Sequence, residues 1–244
     1  MAILTTPLRR TLLVLGLALL GLSWPFIAAS RRVLPESSTA GSTSSLFGGL
    51  FSFSSMQNLD VNDGGAISLT LDRVGGAGFE SRRAFSFGTF SVDAKMPRGY
   101  SAGVCATFFL QSGSYDNRDE WDFEFLGSPN NSRGMTLQTN VFMNGQGDQE
   151  VLTAFAFDPA AAFHTYAIQW GPQSTVWLVD GVNIRTVSKS SADYPKDPMK
   201  VYFSIWDASP WATGPRTARI PVNYEYAPFT VTFKNFKYTP LSAN

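Results

Sequence analysis

The sequence predicts an all-β domain, a two-sheet antiparallel sandwich of jelly-roll type, and three observations carry that prediction. From about Asp60 onward, apolar and polar residues alternate with a period of two in short runs. Gly, Pro, Asn or Asp separate the runs, and no segment shows the period of a long helix. The 244 residues are 44% hydrophobic, 14% aromatic and only 16% charged, which suffices to fill one sandwich core and excludes a disordered chain.

Taken in order, residues 66–72 ("AISLTLD") place Ile67, Leu69 and Leu71 on one face of a strand. The runs "FGTFSVDAKM", "AGVCATFFL", "MTLQTNVF", "HTYAIQW", "TVWLVD", "KVYFSIW" and "FTVTFKNFKY" behave in the same way. Val179-Asp180-Gly181-Val182 predicts a tight hairpin, because Asp-Gly readily takes the positive φ angles of a type I′ turn. No internal repeat and no second domain is visible.

Ahead of this domain the chain reads as an address. Arg9 and Arg10 precede an apolar run at residues 11–29, with small residues at its end. Residues 1–29 are therefore expected to be a secretory signal peptide cleaved near Ala29 or Ser30. The alternative is an uncleaved signal anchor, since the run approaches the ~20 residues that cross a bilayer. The expected location is outside the cell, in the cell wall, with no stable membrane association once the signal is cleaved. The Ser/Gly-rich "SSTAGSTSSLFGG" marks a linker, assigned to residues 30–55, and leaves the folded domain at residues 56–240.

Charge and cysteine content narrow the chemistry. Lys plus Arg and Asp plus Glu balance at 19 each, so there is no basic surplus for a nucleic-acid partner. Cys105 is the only cysteine, which rules out an intramolecular disulfide, and its apolar setting predicts a small buried hydrophobe. One His and one Cys cannot build a zinc site, and no metal or cofactor is expected. Twenty Phe, 8 Tyr and 6 Trp suit both strands and surfaces that stack on sugar rings.

The segment "RDEWDFEFLG" sets Glu120, Asp122 and Glu124 on one face of a strand and Trp121, Phe123 and Phe125 on the other. Three aligned carboxylates repel one another, and a solvated face would relieve the repulsion with Lys or Thr. Chemistry can use it instead, because crowded carboxyls do not all ionise: one keeps a proton near neutral pH while another remains a nucleophilic anion. Retaining glycoside hydrolysis needs that pair, about 5 to 5.5 Å apart. Residues four apart on a straight strand lie about 13 Å apart, so the sheet is expected to curve, with a concave cleft on the acid side.

"DEWDFEFLG" closely resembles the active-site strand of glycoside hydrolase family 16, in particular its xyloglucan endotransglucosylase/hydrolase group and bacterial mixed-linkage β-glucanases. "SAGVCATFFL", "QTNVFMNGQGD", "FDPAAAFHTYAIQW", "VDGVNIR", "WDASPWAT" and "APFTVTFKNFKY" follow in that group's order. The resemblance implies a retaining, endo-acting glycosidase or transglycosylase acting on β-1,4-linked glucan of xyloglucan type. Mixed-linkage glucan hydrolysis is the alternative, and a non-catalytic sugar-binding jelly roll the remaining one. It further implies Glu120 as nucleophile, Glu124 as general acid/base and Asp122 as assisting residue. Gln138 and Asn140 would contact the donor sugar, and Trp206 and Trp211 would shape the donor side. His164 reads as structural, and Asn130 opens the only Asn-x-Ser/Thr sequon, a surface glycosylation candidate. The partners implied are a β-glucan and an oligosaccharide or water acceptor, met by a monomer.

Three positions depart from the plant members: Arg118 replaces a usual His, Gln149 an Arg and Phe109 a Tyr. The sequence also ends without their Cys-containing C-terminal extension. A more open acceptor side is the expectation, with hydrolysis in the absence of acceptor and transfer only when oligosaccharide is abundant.

Overall fold

Alternation alone would give every strand one wet face, yet three strands at the centre of one sheet are buried on both. The computed structural model describes residues 46–53, 57–62, 64–190, 194–210 and 220–241. Among them lie one short α-helix, α1 (Leu46–Leu50), three single-turn 3-10 helices (Tyr115–Asn117, Ser132–Gly134 and Tyr224–Tyr226), and the strands β1 (Phe51–Phe53), β2 (Leu59–Val61), β3 (Ile67–Leu71), β4 (Ala77–Ser81), β5 (Gly88–Lys95), β6 (Val104–Ser112), β7 (Asp119–Leu126), β8 (Thr136–Phe142), β9 (Val151–Ala154), β10 (His164–Trp170), β11 (Ser174–Val179), β12 (Val182–Ser188), β13 (Lys200–Asp207) and β14 (Phe229–Pro240). The strands build two antiparallel seven-stranded sheets, the jelly-roll sandwich read from the sequence. One runs β1-β4-β13-β6-β7-β8-β9 and the other β12-β11-β10-β5-β14-β3-β2.

The core is the period-two apolar set of both sheets. Ile67, Leu69 and Leu71 of β3, Phe90 and Val92 of β5, and Tyr166, Ile168 and Trp170 of β10 meet Val201, Phe203 and Ile205 of β13 and Trp121, Phe123 and Phe125 of β7. Asp180 and Gly181 close the β11–β12 hairpin at φ values of 49° and 78°, the positive angles that the Asp-Gly pair was expected to supply.

Two expectations change. Composition predicted a linker through residue 55, but Phe47 and Phe51 are 2% and 0% exposed, and the Phe47 ring meets those of Phe51, Phe79, Phe203 and Phe236. Two buried aromatic rings outweigh the flexibility of their Ser and Gly neighbours, so the folded body already includes Leu46. The rest of the linker and the segment assigned as signal or anchor lie outside the described residues. In β14 the strict alternation also breaks: Phe229, Val231 and Phe233 face the core, and then Phe236 does. A bulge between Lys234 and Lys237, with Asn235 at φ 54°, inserts the extra residue that turns Phe236 inward.

Candidate active site

The acid strand β7 lies inside its sheet, between β6 and β8, with its aromatic residues in the core and its carboxylates on the outer face. Register fixes what surrounds each acid. Glu120 stands opposite Gln111 of β6 and Phe142 of β8, Asp122 opposite Phe109 and Asn140, and Glu124 opposite Thr107 and Gln138. Tyr202 of β13 and Glu80 of β4 extend the Asp122 row, and Ser204 the Glu124 row.

This outer face is sheltered by its own side chains. Asp122 is only 2% exposed and Glu124 8%. Phe109 and Tyr202 stack with ring centroids 4.9 Å apart beside Asp122, and Lys200 holds Glu80 at 2.7 Å on the same side. Beneath the site the Trp177 indole N–H crosses the core to donate to the backbone carbonyl of Asp122 at 3.0 Å, tying the acid strand to the other sheet.

The three carboxyls have different partners. Arg118, two residues before Glu120 on the same face, places its Nε 2.8 Å from Glu120 Oε2. Glu124 Oε2 accepts from the Gln138 amide at 2.5 Å. Among the described residues neither oxygen of Asp122 meets a donor other than a carboxyl proton, which leaves a proton shared with Glu120 to satisfy it. Burial, followed by the charges of Glu120 and Glu124, pushes Asp122 well above the usual carboxylate range. Burial likewise pushes Glu124 up to about 8, the Gln138 bond opposing it and the charges of Glu120 and Glu150 adding to it. Glu120 is raised by burial too, but the hydrogen bond with Asp122 and the Arg118 guanidinium hold it back. A protonated Asp122 that donates to an ionised Glu120, beside a Glu124 that keeps its own proton at neutral pH, is the state these partners favour.

Of the other residues singled out in the sequence, Gln138 lies beside Glu124. Asn140 lies beside Asp122 and is only 1% exposed, its oxygen accepting from the Val141 N–H and its amide reaching Glu150 at 3.4 Å. Trp206 is half-buried one step beyond Glu124 on the same face, packed with Cys105, Leu126 and Ala208. Cys105 is fully buried. Trp211 lies outside the described residues. His164 sits on the opposite sheet, bonded to Asp180 at 2.7 Å and stacked on Phe157, and takes no part in the site. Asn130 is exposed just after β7.

The residues that sequence reasoning did not assign to the site are Arg118, Tyr202, Glu80 and Phe142. Extending the acid face one step back along the strand would have reached Arg118. Tyr202 and Glu80 join only through strand register, which no local pattern carries.

Comparison with known proteins gives the family of the chain. The sequence profile of glycosyl hydrolases family 16 matches residues 50–226. The chain is 38% identical over 180 residues to the putative xyloglucan endotransglucosylase/hydrolase protein 13 of Arabidopsis thaliana, over 72% of this chain and 62% of that relative. It is 41% identical over 172 residues to the xyloglucan endotransglycosylase/hydrolase protein 8 of Oryza sativa subsp. japonica, over 70% of this chain and 58% of that relative. The chain thus spans less than two thirds of the length of these curated relatives. Among solved structures it is similar to a Bacillus licheniformis β-glucanase, with a TM-score of 0.64 and 25% identity over 82% of this chain and 91% of that one. It is similar also to the apo Crh5 transglycosylase, with a TM-score of 0.66 and 25% identity over 82% of each chain. On the extent of the profile match and the shared fold, the chain belongs to glycosyl hydrolase family 16.

Proposed function

We propose that this protein is a retaining, endo-acting glycosidase/transglycosylase that cleaves, and religates, β-1,4-linked glucan backbones of xyloglucan type in cell-wall polysaccharide. The observation that carries the reading is the unequal pairing of two glutamates on one strand face: Glu120 with a guanidinium, Glu124 with a neutral amide and a proton. The polymer comes from the relatives, which are named for xyloglucan.

In the reaction the ionised Glu120 attacks the anomeric carbon while Glu124 gives its proton to the departing glycosidic oxygen. A covalent glycosyl-enzyme forms and the leaving chain departs with that proton. Glu124, now ionised, takes a proton from water or from a sugar hydroxyl, and the incoming oxygen displaces Glu120 from the anomeric carbon. Asp122, holding a shared proton, donates to Glu120 as its charge returns and releases it as the ester forms. Gln138 sets the Glu124 carboxyl, and Asn140 is assigned to the donor side with it. Trp206 and Trp211 are assigned to the donor side on the resemblance, Asn130 to glycosylation, and residues 1–29 to secretion.

A mixed-linkage β-glucan is the second reading, favoured by the likeness to a prokaryotic β-1,3-1,4-glucanase, 91% of which the chain covers at a TM-score of 0.61 and 25% identity. The test is incubation with xyloglucan and with mixed-linkage glucan, each with and without a labelled oligosaccharide acceptor, followed by product sizing. Label entering long xyloglucan chains is the expected result. Cleavage of mixed-linkage glucan alone would replace the first reading with the second.

A further inference from the structure

Arg118 lies two positions ahead of Glu120, so the acid face reads Arg118, Glu120, Asp122, Glu124 along one row of the strand. Its position is built from several sides. The Asn117 side chain accepts from the Ser114 N–H and hydroxyl at 2.8 Å each, closing the turn that delivers the chain to β7. The Arg118 carbonyl accepts from the Gly145 N–H at 2.8 Å, and the neighbouring Asp119 carboxylate accepts from the Asn144 N–H at 2.7 Å. Gly145 has φ +76°, and a Cβ there would fall 2.1 Å from the Asp116 carbonyl, so this contact requires glycine. The guanidinium carbon lies 3.6 Å from the centroid of the Phe142 ring while Nε reaches Glu120.

Resting on the reading of Glu120 as nucleophile, we propose that Arg118 is a positioning residue of the reaction: clamped on Phe142 and ion-paired with Glu120, it fixes the orientation and the negative charge of the attacking carboxylate. The surroundings leave this task to Arg118. Facing Glu120 on its own strand are the acids Asp122 and Glu124, and opposite it on β6 and β8 are the neutral Gln111 and Phe142. Further along the sheet are Tyr202, Glu80 and Lys200, and Lys200 is paired with Glu80. Among the described residues Arg118 is the one cation within ion-pair distance of Glu120. Both side chains are largely shielded, at 14% and 15% exposure, so the pair keeps strength that a surface pair loses to water. Among the described residues Glu124 has no such partner, and the cation adds to the Asp122 hydrogen bond in setting the two glutamates apart.

The test is the pH dependence of kcat/KM for Arg118→Gln and Arg118→Lys on an oligosaccharide donor, with thermal melts confirming the fold at each pH. In Arg118→Gln the acidic limb, which reports ionisation of Glu120, moves to higher pH. Activity at pH 5 then falls about tenfold more than at pH 7, and the alkaline limb stays in place. Arg118→Lys, which keeps the charge, restores most of the acidic limb. Phe142→Leu, which keeps Arg118 but removes its platform, moves the limb in the same direction by less and carries the test should Arg118→Gln fail to fold. An equal loss at every pH in Arg118→Gln, or no difference between the Gln and Lys variants, overturns the proposal. Glu120→Ala measured alongside separates the two layers: if it retains turnover, the reading of Glu120 falls and not the role of Arg118 alone.

Discussion

The two outer faces of the sandwich are built from opposite materials. On the sheet that holds β3, β5 and β14, the outer side chains include half-exposed hydroxyls and short polar groups that satisfy one another, beside lysines such as Lys95 and Lys234 that lie over Phe163. Ser68 meets Thr232 at 3.0 Å, Thr70 meets Thr230 at 3.1 Å, and Thr165 donates to Asp93 at 2.7 Å. On the sheet that holds β6, β7 and β8, the outer side chains include three shielded carboxyls, and among the described residues Asp122 has no donor but a shared proton. The first face follows the ordinary rules of cross-strand pairing. The second violates them at a cost in stability, and chains retain such violations where chemistry needs them.

The comparison breaks most sharply at Glu120. Glu120→Ala removes the carboxylate proposed to attack, and turnover of natural glucan is expected to fall about ten-thousand-fold or more. The fold is retained, because truncating one of three crowded acids relieves repulsion. A near-normal kcat on xyloglucan would show that the acid face serves binding alone.

Glu124→Gln gives the next largest effect and reads in two ways. Loss of the proposed general acid should lower kcat/KM by about 10²- to 10⁴-fold on donors with poor leaving groups and by much less on activated ones. In the unsubstituted enzyme, activity should decline as pH rises through about 8, where Glu124 loses its proton, and in Glu124→Gln this alkaline limb should vanish. Stability moves the other way. The folded protein holds a proton on Glu124 that the unfolded chain releases near its ordinary value of 4.5, so this group destabilises the fold increasingly as pH rises from there to about 8. Glu124→Gln should therefore melt several degrees higher than the parent at pH 8 and by a much smaller margin at pH 4.5. A lower melting temperature at pH 8 would contradict the protonated, shielded state.

The smallest effect sharpens the contrast from the other side. Thr70→Val removes one hydroxyl of a half-exposed pair on the opposite face and should change stability by no more than about 1 kcal/mol, leaving kcat/KM and its pH limbs unmoved. A shift in either limb would mean that the two faces are coupled through the core.

Legibility in the sequence followed the range of the forces involved. The acid strand was readable because alternation is local, and one step of period two sorts Trp121, Phe123 and Phe125 from Glu120, Asp122 and Glu124. The Asp180-Gly181 hairpin was readable for the same reason. Residues 46–53 were hidden because Ser and Gly dominate the surrounding composition, whereas Phe47 and Phe51 bind through ring contacts to β4, β13 and β14, far along the chain. The bulge at Asn235 was hidden because one inserted residue leaves the local pattern looking regular up to Phe233. In the site, the carboxyls and Gln138 were visible as motif residues, while Tyr202 and Glu80 arrive from strands joined by register alone. The difference between Glu120 and Glu124 was also out of reach of composition, since it depends on which partner each oxygen meets.

That difference is tested most directly by adding azide to Glu120→Ala and to Glu124→Ala with an activated β-glucoside and determining the configuration of each glycosyl azide. In Glu120→Ala the small anion should occupy the space of the missing nucleophile and give the inverted α-azide. In Glu124→Ala the covalent intermediate still forms on Glu120, and azide should displace it to give the β-azide. The reverse pair of products would contradict the account, making Glu124 the nucleophile and Glu120 the acid.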